Sequence, residues 1–282
     1  LSLHDALPIS TTSGTGSEVT PFAVISDKAN NRKYPIADYS LTPTVAIVDP
    51  ALVLTVPGSV AADTGMDVLT HATEAYVSQM ASDYTDGLAL QAIKLVFENL
   101  ESSVKNADFH SREKMHNAST IAGMAFANAF LGISHSMAHK IGAQFHTIHG
   151  RTNAILLPYV IRYNGTRPAK TATWPKYNYY RADEKYQDIA RMLGLPCSTP
   201  EEAVEAYAKA VYELGERCGI EMNFKAQGID EKEWKKHSRE LAFLAYEDQC
   251  SPANPRLPMV DHMQEIIEDA YYGYKERPGR RK

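Results

Sequence analysis

Asp67 and His71 lie within Gly-Met-Asp-Val-Leu-Thr-His-Ala-Thr-Glu-Ala-Tyr (65–76). At positions i and i+4 of a helix, a carboxylate and an imidazole share one face. A second group, His135, His139, His146 and His149, holds four of the chain's ten histidines. One carboxylate with several imidazoles is a ligand set for a divalent ion such as Fe(II) or Zn(II), which makes a Lewis-acid enzyme the leading expectation. Asp67 and His71 alone are an ordinary polar pair. The histidine segment carries more weight, because the residues between its histidines (Met137, Ala138, Ile141, Gly142, Ala143) are apolar or small and read as buried. Buried imidazoles need partners, and a satisfied core histidine accounts for one of them, not four. Spacing alone leaves open which of His135, His139, His146 and His149 bind the ion. His135 and His139 share a face. His149 precedes Gly150 at an expected turn and can close the site from another direction. One of the remaining histidines is a candidate for proton transfer.

Helices are expected to position these groups. The segments 59–80, with Ser59 as N-cap, 85–100, 111–131, 135–145 and 153–163 read as buried helices. The segments 184–193, 201–218, 231–246 and 259–271 are amphipathic and more polar, as an outer layer would be. Before residue 58 the character differs. Residues 19–25 and 45–48 are β-branched and read as strands. Thr-Thr-Ser-Gly-Thr-Gly-Ser-Glu (11–18) is small and polar. Such a loop lets a backbone approach a phosphate or ribose, although on composition alone a plain polar turn explains it. Residues 166–180, with Pro168 and Pro175, are the most loop-like stretch. No G-x-G-x-x-G follows a strand, so the common dinucleotide fingerprint is absent.

A net charge of −5, with basic residues clustered only in the tail 277–282, argues against a nucleic-acid partner. No apolar run approaches the roughly 20 residues of a membrane span. Three scattered cysteines, Cys197, Cys218 and Cys250, fit a reducing cytoplasm better than a disulfide framework.

Four stretches, TTSGTGSE (11–18), GMDVLTHATEAYVS (65–78), AFANAFLGISHSMAHKIGAQF (125–145) and HGRTNAILLP (149–158), resemble the iron-containing alcohol dehydrogenases. KYPIADYSLTP (33–43) and DQCSPANPRLP (248–258) are similar to the branch that forms the C-terminal half of bifunctional aldehyde–alcohol dehydrogenases. The likeness runs from about residue 11 to the end. It implies residual strands of a nicotinamide-binding α/β domain (11–57) followed by an all-α metal-binding domain (58–282), in a dehydroquinate synthase-like arrangement. Residues 1–10 are then expected to be a non-native leader, because Ser10 stands where the family usually has proline. The family's Gly-rich pyrophosphate loop is expected upstream of Thr11, so the chain is expected to be N-terminally truncated.

By the same resemblance, Asp67, His71, His135 and His149 hold Fe2+, with Zn2+ possible. His139 lies near the nicotinamide and substrate. Thr11 and Thr12 contact NAD, with Val24, Lys33 and Leu52 at neighbouring cofactor-lining positions. The expected reaction interconverts a short primary alcohol such as ethanol with its aldehyde, in fermentation. The apolar Phe126, Phe130 and Leu131 suit a small unbranched substrate. The resemblance also implies a homo-oligomer, and a filament within a bifunctional parent. Two other readings are a histidine–aspartate metal-dependent hydrolase and an assembly module without catalysis. A hydrolase of that type needs no TTSGTGSE loop and usually shows adjacent His-Asp. The adjacent pairs here, His4-Asp5 and Asp261-His262, are remote from the histidine cluster.

Overall fold

The computed structural model describes residues 7–27, 32–168 and 180–273. Two antiparallel strands, β1 (Phe22–Asp27) and β2 (Arg32–Ala37), form a hairpin with Phe22 opposite Ala37 and Asp27 opposite Arg32. Nine helices follow among the described residues: α1 (Gly58–Val77), α2 (Asp83–Lys105), α3 (Phe109–Ala129), α4 (Ile133–Phe145), α5 (His149–Gly165), α6 (Ala182–Met192), α7 (Pro200–Arg217), α8 (Glu231–Tyr246) and α9 (Val260–Tyr272). The expected α/β remnant followed by an all-α part is therefore present.

Several details differ from the sequence reading. β2 is unexpected, since Arg32, Lys33 and Pro35 are poor strand formers, and cross-strand pairing with β1 supplies what propensity does not. Residues 45–48 do not form a strand and retain only a parallel bridge, Ile9 to Ile47. Ser10 N–H donates to the Ile47 carbonyl at 3.0 Å and Ile47 N–H to that of Pro8 at 3.0 Å. Residues 8–10, expected as leader, are thus paired into this edge. Ser59 is not the N-cap of α1. That place falls to Pro57, which makes no side-chain cap. Of the expected loop 166–180, residues 169–179 lie outside the described residues, as does the basic tail 277–282.

Two apolar clusters fill the helical part. One joins α1, α2 and α3 to α6 and α7, and the other joins α4 to α8 and α9. Helix α5 serves both, with Ala154, Leu157 and Ile161 in the first and Ile155, Leu156, Tyr159 and Val160 in the second. Most of α5, from Thr152 to Ile161, is buried, as expected of a central helix. Helix α1 is nearly all buried as well, yet it carries Asp63, Asp67, His71 and Glu74 along one stripe. That stripe faces α4 and α5. Gly150 lets α5 approach, because a Cβ there would lie 2.2 Å from the Asp63 carbonyl oxygen. Helices α3 and α4 meet at 106° through Phe130, which has φ 63°. No single helix among the described residues is long and apolar enough to cross a membrane.

Candidate metal centre

Three helices bring the four leading candidates together. Asp67 and His71 come from the middle of α1, His135 from the first turn of α4, and His149 is the first residue of α5. Asp67, His71 and His135 are buried, and each offers a ligand atom within 4.8 Å of the others'. His149 stands on the open side, its side chain 43% exposed and its Nε2 3.8 Å from Asp67 Oδ1. The His71 and His135 rings stack at 4.6 Å, and His149 lies 5.4 Å from His135. His139, one turn after His135, stacks on His149 at 5.5 Å. His146 is an exposed, left-handed C-cap of α4 and lies outside the group.

The donor set fits a divalent ion. His71 Nδ1 and His135 Nε2 are buried without a hydrogen-bond partner, a costly state in a folded interior. His135 Nε2 is 3.6 Å from Asp67 Oδ1, too far for a hydrogen bond. A cation between these atoms would satisfy all three. Burial pushes the His71 imidazole down to about 3, the neutral form a metal requires. Burial pulls His135 down too, but the Glu74 and Asp67 carboxylates outweigh it and hold the imidazole up at about 9. Burial opposes the Asp67 charge, and the three histidines around it overcome that and leave its carboxyl far below the usual range.

Glu74 lies in the same helical motif as Asp67 and His71, yet sequence reasoning did not single it out. Its Oε2 accepts from His135 Nδ1 at 2.6 Å and its Oε1 from the Ser134 N–H at 2.7 Å. That fixes the tautomer and aims Nε2 at Asp67, the arrangement of a carboxylate–histidine–metal triad. The i, i+7 spacing from Asp67 was the available signal. Asn153 was also missed. Its Nδ2 donates to Asp67 Oδ1 at 2.8 Å and lies 3.2 Å from His149 Nε2. Asp63 pairs with Arg151 through two bonds of 2.8 and 3.1 Å, tying α1 to α5 beside the site.

The candidate cofactor residues come from the segment before α1 and belong to none of these helices. Thr11 is exposed and Thr12 half-buried, at the start of a loop that turns at Gly16. Leu52 is 43% exposed on a short 3-10 turn, Pro50–Val53. Val24 lies opposite Pro35, and Lys33 opposite Ser26, in the hairpin. The hairpin connects to the centre through α3, where Phe22 stacks on Phe126 at 6.0 Å and Phe126 on His71 at 4.5 Å.

This combination of a helical carboxylate–histidine centre and an α/β remnant is that of a known family. Residues 61–271 match the C-terminal part of the Fe-containing alcohol dehydrogenase family, and residues 5–50 match iron-containing alcohol dehydrogenase. The chain belongs to the iron-containing alcohol dehydrogenase family. It is 96% identical over 276 residues to the aldehyde–alcohol dehydrogenase of Streptococcus pneumoniae, covering 98% of this chain and 31% of that protein. The chain thus spans about a third of that relative's length. The crystal structure of a 1,3-propanediol oxidoreductase superposes with a TM-score of 0.83 at 35% identity, covering 93% of this chain and 65% of the other. A sulfoacetaldehyde reductase from Bifidobacterium kashiwanohense, solved in complex with NAD+, superposes with a TM-score of 0.77 at 30% identity, covering 93% and 63%.

Proposed function

We propose that this chain supplies the metal-binding part of an NAD(H)-dependent alcohol dehydrogenase that interconverts a short primary alcohol, ethanol, and its aldehyde, acetaldehyde. The observation that carries this reading is the buried group Asp67, His71 and His135 with its two unpartnered imidazole nitrogens. In this reading Asp67, His71, His135 and His149 hold Fe2+, or Zn2+, which the affinity order of N/O sites favours. When bound, such an ion supplies Lewis-acid polarisation of an alcohol or carbonyl oxygen, and NAD takes or returns the hydride.

The chain's own residues do the rest. Glu74 orients His135, and Asn153 holds Asp67. Phe126 closes one wall over His71 and keeps water from it. His139 is half-buried, and its Nδ1 donates to Asp248 Oδ2 at 3.2 Å. Its ring lies between the buried centre and solvent, placed to relay the substrate's hydroxyl proton. Thr11, Thr12, Val24, Lys33 and Leu52 line the dinucleotide. Residues 11–57 act as the end of the nucleotide-binding unit and 58–282 as the catalytic unit, in a cytoplasmic homo-oligomer. A propanediol-type substrate is the second reading, favoured by the overlay on 1,3-propanediol oxidoreductase.

The test is NAD(H)-coupled turnover across short alcohols and aldehydes with Fe2+-loaded protein, using this chain joined to the nucleotide-binding segment of a family member. Highest kcat/KM on ethanol and acetaldehyde supports the first reading. Preference for propanediol supports the second, and no turnover with stoichiometric metal bound contradicts both.

A further inference from the structure

A second set of converging donors lies next to the first; it shares His139 and its Asp248 partner with the proposed relay and adds a thiol that has no role there. His139 from α4, with Asp248 and Cys250 from the segment after α8, places a nitrogen, an oxygen and a sulfur within 4.8 Å of one another. Asp248 and Cys250 are buried, at 6% and 2% exposure, while the His139 side chain is 26% exposed and gives a way in. Asp248 Oδ2 accepts from His139 Nδ1 at 3.2 Å. Burial, reinforced by the Asp248 charge, pushes the Cys250 thiol well up, so without an ion it keeps its proton. The Cys250 N–H donates to Asp248 Oδ1 at 3.1 Å and holds the two residues in register. A divalent ion with a preference for sulfur and nitrogen fits where those protons now sit.

We propose that His139, Asp248 and Cys250 form a second, thiolate-containing site for a zinc-class divalent cation, distinct from the Asp67–His71–His135 centre. Binding exchanges protons for metal. The Cys250 S–H proton and the His139 Nδ1–H proton leave, the sulfur and the nitrogen each donate a lone pair to the ion, and solvent takes the protons released. No oxidation occurs. The Lys140 ammonium, 2.8 Å from Asp248 Oδ2, is displaced from that oxygen, and its side chain, 28% exposed, has solvent to move into. The ion fills the fourth position with water. Occupation would tie up the His139 Nδ1 lone pair, so excess zinc-class metal should inhibit the proton relay proposed for His139.

Cobalt(II) tests this on the 282-residue chain without reference to turnover, because a cysteine thiolate bound to cobalt gives a near-ultraviolet charge-transfer band that nitrogen and oxygen ligands do not. Titration of the purified chain should give a first equivalent without the band and a second equivalent with it. Cys250→Ser should abolish the band and keep the first equivalent, whereas Cys197→Ser and Cys218→Ser should leave both. His139→Ala should weaken the second equivalent by roughly tenfold or more, at least the loss seen on removing a supporting group. Asp67→Asn should lose the first equivalent and keep the band, which separates failure of the first centre from failure of this one. Cys250→Ala with an unchanged circular-dichroism spectrum guards against a folding effect of serine. Absence of the band at saturating cobalt, or a band that survives both Cys250 variants, would overturn the proposal.

Discussion

At the scale of single residues, the centre is built from groups that are poorly satisfied without a cation. Glu74, itself satisfied by His135 and the Ser134 N–H, is the most informative of their neighbours. Replacing it by Gln removes the charge behind His135 while keeping its shape, and losing that support should weaken metal binding by about 10–100-fold. Competition against a chelator of known affinity measures this, and unchanged affinity would mean that Glu74 serves only the Ser134 cap. His135 makes a second prediction. Held up at about 9 in the metal-free chain, it is protonated at neutral pH. Metal binding must therefore expel a proton, and affinity should rise with pH up to about 9. Calorimetry in buffers of different ionisation enthalpy should report the released proton. The stability sign follows. A pKa raised from 6.5 to about 9 stabilises the metal-free fold fully below 6.5, and that increment fades as pH climbs through 9.

His135, His139 and His149 were visible in the sequence as a group because imidazoles at that density in an apolar segment demand a common explanation. Glu74 and Asn153 were not, because a lone carboxylate or amide on a helix acquires meaning only when a second helix brings it a partner.

At the scale of elements, the site depends on how closely α1 and α5 approach. Gly150→Ala would drive a methyl into the Asp63 carbonyl at 2.2 Å and toward Asp67 Cβ at 3.2 Å. Overpacking of this kind costs on the order of 1–3 kcal/mol, so the variant should melt lower and release metal more readily. Gly87→Ala is the matched control. Gly87 lies exposed within α2, and a methyl added there would meet nothing within 4 Å. Alanine at that position should stabilise by about 0.5–1 kcal/mol. Equal melting temperatures for the two variants would contradict the close-approach argument.

The nine helices of the described residues were legible as segments from their helical patterns, with ends displaced by a few residues from the observed ones, as where Ser59 was expected to cap α1 and Pro57 holds that place. β2 was not legible, because Arg32, Lys33 and Pro35 argue against a strand until β1 pairs with them. Residues 45–48 failed in the opposite sense, since their β-branched residues meet only a bridge to Ile9.

At the scale of the whole molecule, the chain is well packed around α1 and α5 and open at its N-terminal side. Leu7, Ile9, Val45, Ile47 and Leu52 are all at least 40% exposed in the segment that carries the Ile9–Ile47 bridge. An exposed apolar patch of this kind is a site for association with another chain. The 282-residue chain should therefore self-associate, and sedimentation should show a smaller species once Ile9 and Ile47 are both replaced by Lys. The loop Thr11 to Glu18 leads into a three-residue 3-10 turn, Ser17–Val19, whereas a pyrophosphate is held by backbone donors at the N-terminus of a full helix. NAD should accordingly bind weakly to this chain and tightly once a family member's nucleotide-binding segment is joined to it. Tight binding by the chain alone would mean that Thr11 to Glu18 suffices.

The central claim is that Asp67, His71, His135 and His149 hold one divalent ion. Anaerobic equilibrium dialysis against Fe2+, with iron quantified per chain, tests it most directly. The account predicts one tightly held equivalent in the unaltered chain and its loss in both Asp67→Ala and His135→Ala, while His139→Ala retains it. A His135→Ala protein that folds and still holds a stoichiometric, tightly bound iron would contradict the assignment.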